Sequence, residues 1–323
     1  MPLSEFQLIS NYFTRQAVLR GDVALGIGDD AALLHVPAGQ CLAVSIDTLV
    51  EGVHFFPEIA AADLGYRALA VNLSDLAAMG AQPAWATLAL TVPRVDEAWL
   101  AQFSGGFFEL AQHHGVQLVG GNTTRGPLSI SVQVHGFVPE AQALRRSGAQ
   151  PGDLIFVTGT LGDAAIGLQS ALQKIMLAPA EAQFASQRWL RPQPRVAEGL
   201  ALRGVASACI DISDGLLADL SHVCEASQVG ARIQVEQVPV STVFHAAGGD
   251  WNLPLNGGDD YELCFTVAPS QRAHLEELLR VLPCGLTCIG VIESVPGIRC
   301  EMNDGRVFIP AKRGYDHFHA GSP

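Results

Sequence analysis

Residues 147–159 read SGAQPGDLIFVTG and divide the sequence into two halves of similar length. The segment SGAQPGD concentrates turn formers, and the apolar run LIFVTG that follows it is typical of a buried strand. A chain of 323 residues is longer than the ~250–300 residues at which a single hydrophobic core usually stops growing. We therefore predict an N-terminal domain over residues 1–148 and a C-terminal domain over residues 149–323.

Helical and strand-like patterns alternate in both halves, which predicts an α/β (α+β) fold for each. The first half is predicted to begin with an amphipathic helix from Ser4, a possible N-cap, to about Arg20. Strands are predicted at 41–47, 84–92, 128–138, 154–158, 206–210, 262–267 and 286–292. Helices are predicted near 60–79, 96–114, 214–228 and 270–281, and another opens near residue 162.

The charge distribution excludes several classes of protein. A net charge of −13 argues against a general nucleic-acid surface, which needs a basic face. Only two lysines occur, Lys174 and Lys312, and neither lies in a glycine-rich loop. Both a P-loop and a protein-kinase fold need a lysine in a defined motif, so neither of these ATP sites is present.

The chain shows no features of a membrane or secreted protein. No apolar run reaches the ~18 residues of a membrane span, and the opening MPLSEFQLISNYF does not resemble a signal peptide. We expect no membrane partner and a cytoplasmic location. The seven scattered cysteines are interpreted as reduced thiols, and Cys284 and Cys288 lack the partners of a zinc site.

Four acidic segments carry the candidate metal chemistry: Gly26–Asp30 (GIGDD), Ser45–Asp47 (SID), Asn72–Asp75 (NLSD) and Asp211–Gly215 (DISDG). Short aspartates in loops beside strands suit hard cations, and Mg²⁺ is usually held by a few carboxylates together with waters and phosphates. The alternative for each segment is a turn or a helix cap. Asp214, for example, is placed to cap the apolar stripe that begins at Leu216.

Phosphate donors are predicted in three segments: Gly120–Gly126 (GGNTTRG), Thr158–Asp163 (TGTLGD) and the pair Arg145-Arg146. Glycine turns expose backbone N–H groups, and arginine binds phosphate through two parallel hydrogen bonds. The alternatives are a hairpin turn, an ordinary helix start and a solvated basic pair, respectively.

Eight motifs in order resemble the thiamine-monophosphate kinase family from end to end: LGIGDDAALL, SIDTLVEGVHF, AVNLSDLAAMGA, GGNTTRGP, RSGAQPGD, IDISDGLLADL, GGDDYELCFT and GYDHF. That family belongs to the aminoimidazole-ribonucleotide synthetase-like ATP-binding superfamily. The resemblance implies a two-domain synthetase-like fold, in which an N-terminal α/β domain dimerises through its sheet and a C-terminal α/β domain follows. It also implies a homodimeric enzyme that phosphorylates thiamine monophosphate to thiamine diphosphate with ATP and several Mg²⁺ ions.

The resemblance further implies roles for individual residues. The implied metal ligands are Asp30, Ser45, Ile46 through its backbone, Asp47, Asp75, Asn122, Asp211 and Asp214. The implied ATP contacts are Gly121, Asn122, Arg146 and Ser213. His54, Asp259 and Tyr315 are the implied substrate contacts, and Asp47, Asp75, Asp211 and Arg146 the implied catalytic group.

Two positions depart from the family pattern: Asn122 stands where the family commonly has Asp, and Asp259 where it has Glu. The acceptor is itself a phosphate, so we expect direct in-line transfer without a general base or a phosphoenzyme. The alternatives are other superfamily activities, such as selenophosphate synthetase, and a non-catalytic sensor of nucleotide or thiamine phosphate. No Cys precedes Cys41, which argues against selenophosphate synthetase.

Overall fold

The computed structural model describes residues 4–14, 16–279 and 284–311. The helices are α1 (Glu5–Tyr12), α2 (Ala61–Ala78), α3 (Glu97–His114), α4 (Asp163–Ala171), α5 (Pro179–Leu190), α6 (Val196–Ala201), α7 (Leu216–Ser227), α8 (Thr242–Ala246), α9 (Asn252–Asn256) and α10 (Arg272–Leu279). The strands are β1 (Val23–Leu25), β2 (Leu33–Leu34), β3 (Gln40–Val50), β4 (Gln82–Val92), β5 (Gln117–Arg125), β6 (Ser129–Pro139), β7 (Leu154–Thr158), β8 (Ala208–Ile212), β9 (Gly230–Gln234), β10 (Glu262–Val267), β11 (Leu286–Glu293), β12 (Gly297–Glu301) and β13 (Val307–Phe308). The predicted α/β fold is confirmed for both halves of the chain.

The chain forms two compact units. The first comprises Met1–Leu76 and Ala81–Ala141, and the second comprises Ala77–Gly80 and Gln142–Pro323. The predicted domain boundary at 148/149 therefore falls shortly after the start of the second unit's main segment. Within the described residues, no helix combines the length and the apolar character that crossing a membrane requires.

The first unit is built on a four-stranded sheet in the order β3-β6-β4-β5. β6 pairs antiparallel with β3 and β4, whereas β4 and β5 are parallel. Buried leucines of α2 and buried aromatics of α3, such as Leu69 and Phe103, contribute to its apolar interior. The order of the strands places β3 and β5 at opposite edges of the sheet.

The second unit contains a seven-stranded sheet in the order β13-β12-β9-β11-β7-β10-β8. All of its pairs are antiparallel except β9 with β12. Every residue of β8 and β10 is buried, as expected for strands covered on both faces. The loops that carry Asp214 and Asp259 join these two strands to the rest of the unit.

The first helix is shorter than the sequence predicts. Ser4 is the N-cap, as predicted, and forms a capping box with Gln7. The helix ends at Tyr12 and does not continue to about Arg20. Gln16 instead pairs its side-chain amide with the backbone of Leu118, accepting from its N–H at 2.8 Å and donating to its carbonyl at 2.7 Å. This contact with the edge strand β5 replaces a further helical turn.

Candidate functional site

Ser45, Asp47 and Asp75 form the candidate ligand group of the first unit. The Ser45 hydroxyl on β3 donates to a carboxylate oxygen of Asp75 on α2 at 2.5 Å. The backbone N–H of Asp47 donates to the side-chain oxygen of Asn72 at 2.9 Å, and buried Asn72 is anchored in turn by its bond to the Ala68 carbonyl. Alternation along β3 turns Ser45 and Asp47 to the same face of the strand. The fold thus gathers three predicted ligands at one edge of the sheet.

The donor set of this group fits Mg²⁺, because carboxylate and hydroxyl oxygens are the ligands that a hard cation prefers. Across residues 4–14, 16–279 and 284–311, no three His, Cys, Asp or Glu side chains are grouped closely enough to hold a metal ion by themselves. A cation bound here would therefore need oxygens from water or from a phosphate. That requirement matches the usual manner in which Mg²⁺ binds beside nucleotides.

Gly121 and Asn122 lie on β5, at the opposite edge of the same sheet. Gly121 is paired with Leu88, and Asn122 with Ala89. Gly121 has φ +154, and a Cβ there would lie 1.9 Å from the Leu88 carbonyl oxygen, so only glycine fits. Three strand spacings separate β3 from β5, which is roughly 14 Å. Within one sheet, Asn122 is therefore too distant to bind the same cation as Asp47.

The remaining predicted residues of the first unit are dispersed. Asp30 lies in the exposed loop between β1 and β2, where its N–H donates to the Asp29 carboxylate at 2.9 Å. Ile46 lies between Ser45 and Asp47 with its side chain exposed on the other face of β3. His54 accepts a hydrogen bond at Nδ1 from the Val50 N–H at 3.1 Å, which places the proton of the neutral ring on Nε2.

In the second unit, Asp211 is the penultimate residue of β8 and is 5% exposed, and Ser213 and Asp214 follow in the turn before α7. Sequence reasoning left open that Asp214 caps this helix, but the N-cap position is Gly215. Asp219, a residue that the sequence analysis missed, fixes the turn that precedes the helix. One oxygen of Asp219 accepts from the N–H groups of residues 213, 214 and 215 at 3.0, 3.0 and 3.1 Å. Burial, with a smaller contribution from Asp214, raises the pKa of Asp219 to about 7.

The loop that carries Asp259 is hydrogen bonded to this turn. The Asp259 N–H donates to the Ser213 carbonyl, and the Tyr261 N–H donates to the Ile212 carbonyl, both at 2.8 Å. The Tyr261 hydroxyl donates to the Asp259 carboxylate at 3.3 Å. A predicted substrate contact and the predicted ATP contact Ser213 are thus brought together within the second unit.

A buried charged network beside these loops was also missed. Glu262 is fully buried and accepts from Arg195 Nε and from Thr158 Oγ1, each at 2.6 Å, and from Arg188 Nη2 at 2.8 Å. Burial opposes the charge of Glu262, but its bonds to the arginines prevail and lower its pKa. Gly159 has φ +56, and a Cβ there would collide with the Glu262 carboxylate. The only sequence signal for this network was an acid at the start of an apolar strand.

The predicted phosphate turn Thr158–Asp163 is filled by the protein itself. Asp260, which is 2% exposed, accepts from the N–H of Gly162 at 2.7 Å and from the N–H of Ala164 at 3.3 Å. Burial raises the pKa of Asp260 to about 8. An internal carboxyl group therefore occupies the N-terminus of α4, which favours the alternative reading of this turn as an ordinary helix start.

Two predicted residues remain. Arg146 has an exposed side chain, and its carbonyl accepts from the Ser227 hydroxyl at 3.2 Å. An exposed guanidinium is available to an anionic ligand. Tyr315, the third predicted substrate contact, lies outside the described residues.

Comparison with known proteins gives matches over most of the chain. The N-terminal domain of AIR synthase related proteins matches residues 28–138, and the C-terminal domain of the same proteins matches residues 150–303. The thiamine-monophosphate kinase of Escherichia coli strain K12 is 51% identical over 323 residues, which covers 98% of this chain and 99% of that protein.

Solved structures agree with these matches. The crystal structure of thiamine-monophosphate kinase from Stenotrophomonas maltophilia K279a is 49% identical with a TM-score of 0.81, and the match covers 87% of this chain and 92% of that one. The structure of AaThiL complexed with AMPPCP and TMP is 31% identical with a TM-score of 0.77, covering 88% and 89%, respectively.

Proposed function

The chain belongs to the thiamine-monophosphate kinase family of AIR synthase related proteins, and we propose that it phosphorylates thiamine monophosphate to thiamine diphosphate with ATP. We further propose a direct in-line transfer supported by several Mg²⁺ ions, as the last step in the synthesis of thiamine diphosphate. The observation that carries the proposal is the likeness to kinases at 50% identity or more over nearly the whole chain.

The geometry of the first unit supports the proposed metal site. Ser45, Asp47 and Asp75 would hold Mg²⁺ at the edge of the sheet, and Asp30 and the Ile46 carbonyl would add oxygens from neighbouring segments. When bound, Mg²⁺ neutralises phosphate charge and so reduces the repulsion between two anionic substrates. Asp211 and Asp214 are the proposed ligands from the second unit.

The acceptor group explains why the site needs no general base. A phosphate monoester has a second pKa near ~6, so at neutral pH its oxygen is already ionised and nucleophilic. The task left to the protein is to align two anions, and exposed Arg146 is the proposed partner for the phosphates of ATP. Gly121, Asn122 and Ser213 are the other proposed nucleotide contacts, and His54, Asp259 and Tyr315 the proposed substrate contacts.

The uncovered face of β3 supports the proposal of a homodimer. Four apolar side chains on this edge strand are 37–60% exposed: Leu42, Val44, Ile46 and Val50. A row of exposed apolar residues on an edge strand is a ready surface for association with another chain. A second copy also offers a way to bring another β5, with its own Asn122, towards Asp47.

The test is an assay of ADP release and thiamine diphosphate formation with purified protein. Thiamine phosphate, thiamine, aminoimidazole precursors and selenide would be compared as acceptors, each with and without a chelator of divalent metal. We expect turnover with thiamine phosphate that is abolished by the chelator. Transfer to thiamine but not to its phosphate, or turnover with another acceptor alone, would contradict the assignment.

The same assay separates an enzyme from a non-catalytic sensor. A sensor that kept the pocket would bind ATP and thiamine phosphate, as calorimetry would show, but would release no ADP. Labelled γ-phosphate retained on the denatured protein and then chased into product would instead show a phosphoenzyme and would refute direct transfer.

A further inference from the structure

The loop Gly257–Tyr261 has a backbone that its residues do not adopt readily. Asp259 has φ 71 and Tyr261 has φ 51, and neither is a glycine. Such left-handed conformations are unfavourable for residues with a side chain and persist only when the surroundings impose them. Two of them in three consecutive residues indicate a loop that is held in place by specific contacts.

Asp260, between these two residues, provides two of these contacts. Its side chain points into the second unit, where its two oxygens accept from Gly162 N at 2.7 Å and from Ala164 N at 3.3 Å. Because both donors belong to the start of α4, Asp260 ties the loop to a helix end that is itself buried. Asp260 is thus internal, whereas the preceding residue, Asp259, is partly exposed.

Tyr261 holds Asp259 from the other side. Tyr261 is only 9% exposed, and its hydroxyl donates to the Asp259 carboxylate at 3.3 Å. Its N–H and that of Asp259 bind the backbone of the Ile212–Ser213 turn. Asp259 is therefore constrained in its backbone by Asp260 and by the turn, and in its side chain by Tyr261.

We propose that Asp260 and Tyr261 are positioning residues that set the place of the Asp259 carboxylate for the thiamine phosphate. The inference rests on the proposed function and adds to it that substrate affinity depends on two residues that do not themselves bind the substrate. ATP affinity is expected to be less sensitive, since Gly121, Asn122 and Arg146 lie outside this loop, and the fourth proposed ATP contact, Ser213, is bonded to the loop through its backbone carbonyl.

The test uses two variants of the full chain and one matched control. Asp260→Asn keeps the shape but supplies only one acceptor oxygen, so one backbone N–H of α4 would face an amide NH₂ group. Tyr261→Phe removes only the hydroxyl from a ring that stays buried. The control is Asp153→Asn, because Asp153 is 4% exposed in the same unit and accepts from Gln150 N at 3.0 Å and from Ser207 Oγ at 2.6 Å.

We expect Asp260→Asn to raise KM for thiamine phosphate about tenfold or more and KM for ATP by less than about twofold, since small displacements of a positioning group are costly. Tyr261→Phe should raise the KM for thiamine phosphate about threefold. In both variants kcat should fall by a smaller factor than this KM rises. In Asp153→Asn, the KM for thiamine phosphate should stay within about twofold of the parent.

The inference is overturned if Asp260→Asn changes both KM values equally, or if it changes the KM for thiamine phosphate no more than Asp153→Asn does. If Asp260→Asn does not fold, Tyr261→Phe decides alone, and a KM for thiamine phosphate equal to that of the parent overturns the inference. A parent chain that makes no thiamine diphosphate overturns the proposed function together with this inference, whereas an active parent with unaltered variants overturns only the inference.

Discussion

Acidic residues are used in opposite ways at the sheet edge of the first unit and in the interior of the second unit. In the first unit, Ser45, Asp47 and Asp75 lie partly exposed at the edge of a four-stranded sheet. In the second unit, Glu262 and Asp260 are almost completely buried and accept hydrogen bonds from arginines and backbone N–H groups. In the first arrangement, oxygens at the surface are accessible to a cation. In the second, the carboxylate oxygens accept hydrogen bonds inside the protein.

The difference shows that an acid beside glycine is not by itself a site. A buried carboxylate must be paired or protonated, because desolvation of an isolated charge is very unfavourable. Glu262 is paired with two arginines, and burial shifts Asp260 towards protonation at neutral pH. Partly exposed acids such as Asp47 combine negative charge with access for a hydrated cation.

The largest effect that the comparison predicts is on the stability of the second unit. Glu262→Gln removes the carboxylate that Arg188 and Arg195 share, leaving Arg188 the longer contact to Asp163 at 3.8 Å. Loss of one member of a buried pair costs about 3–5 kcal/mol. Urea unfolding would measure this loss. Asp304→Asn is the control, because Asp304 pairs with Arg306 at an exposed site and its loss should leave the midpoint unchanged.

The pH dependence of stability is a second test of the ion pairs that Glu262 forms with the two arginines. The pKa of Glu262 is lower in the folded than in the unfolded protein, so its stabilising contribution is present above its usual value of 4.5 and is lost as pH falls. The parent should therefore lose stability more steeply than Glu262→Gln as pH is lowered below 4.5. If the curves of stability against pH are parallel for parent and variant, or if the variant is less stable by under about 1 kcal/mol at neutral pH, the ion pairs contribute little.

The next effect concerns activity and the first unit. Asp47→Asn should lower turnover about 100-fold or more with no change in the urea midpoint, since a neutral amide offsets none of the charge of Mg²⁺. Asp75→Asn should act in the same way. Glu58→Gln removes an equal charge from an exposed position of the same unit and should leave turnover unchanged. Near-parental turnover of Asp47→Asn at saturating Mg²⁺ would remove Asp47 from the ligand set.

A smaller effect is expected on association through β3. Val44, which is 48% exposed, lies on the proposed dimer surface, and Val44→Glu should raise the dimer dissociation constant about tenfold because a charge would be desolvated. Val95→Glu is the matched control, with 44% exposure outside β3. Sedimentation equilibrium would measure the dimer dissociation constant of each variant. A monomeric parent, or equal dissociation constants for the two variants, would count against this surface.

The smallest effect is expected at Asn122. If Asn122 faces a metal ion in the assembled protein, Asn122→Asp should lower the half-saturating Mg²⁺ concentration about threefold, because a carboxylate binds a hard cation better than an amide does. The measurement is made at fixed ATP for parent and variant. An unchanged value with weaker ATP binding would mean that Asn122 contacts the nucleotide directly.

Local patterns explain which elements were predictable. Helix α3 and strands β7 and β10 lie within a residue of their predicted bounds, because their apolar periodicity and flanking turn residues are strong. Helix α1 was predicted too long because its pattern does not reveal the pairing of Gln16 with Leu118, a partner 102 residues away. The role of Asp219 in fixing the turn at residues 213–215 was missed for a related reason, since by sequence Asp214 is a good candidate for the cap of α7.

The sequence by itself determined the family and the α/β class of both halves, and it predicted oxygen-rich chemistry suited to Mg²⁺ and phosphate, because these depend on residue types and their order. Only the tertiary structure decided which acids remain accessible. Strand order placed Asp47 and Asn122 at opposite edges of one sheet, and burial turned Glu262 and Asp260 into internal partners. The free energy of ionising a carboxylate depends on its exposure to solvent and on its neighbours, and both are set by segments distant in the chain.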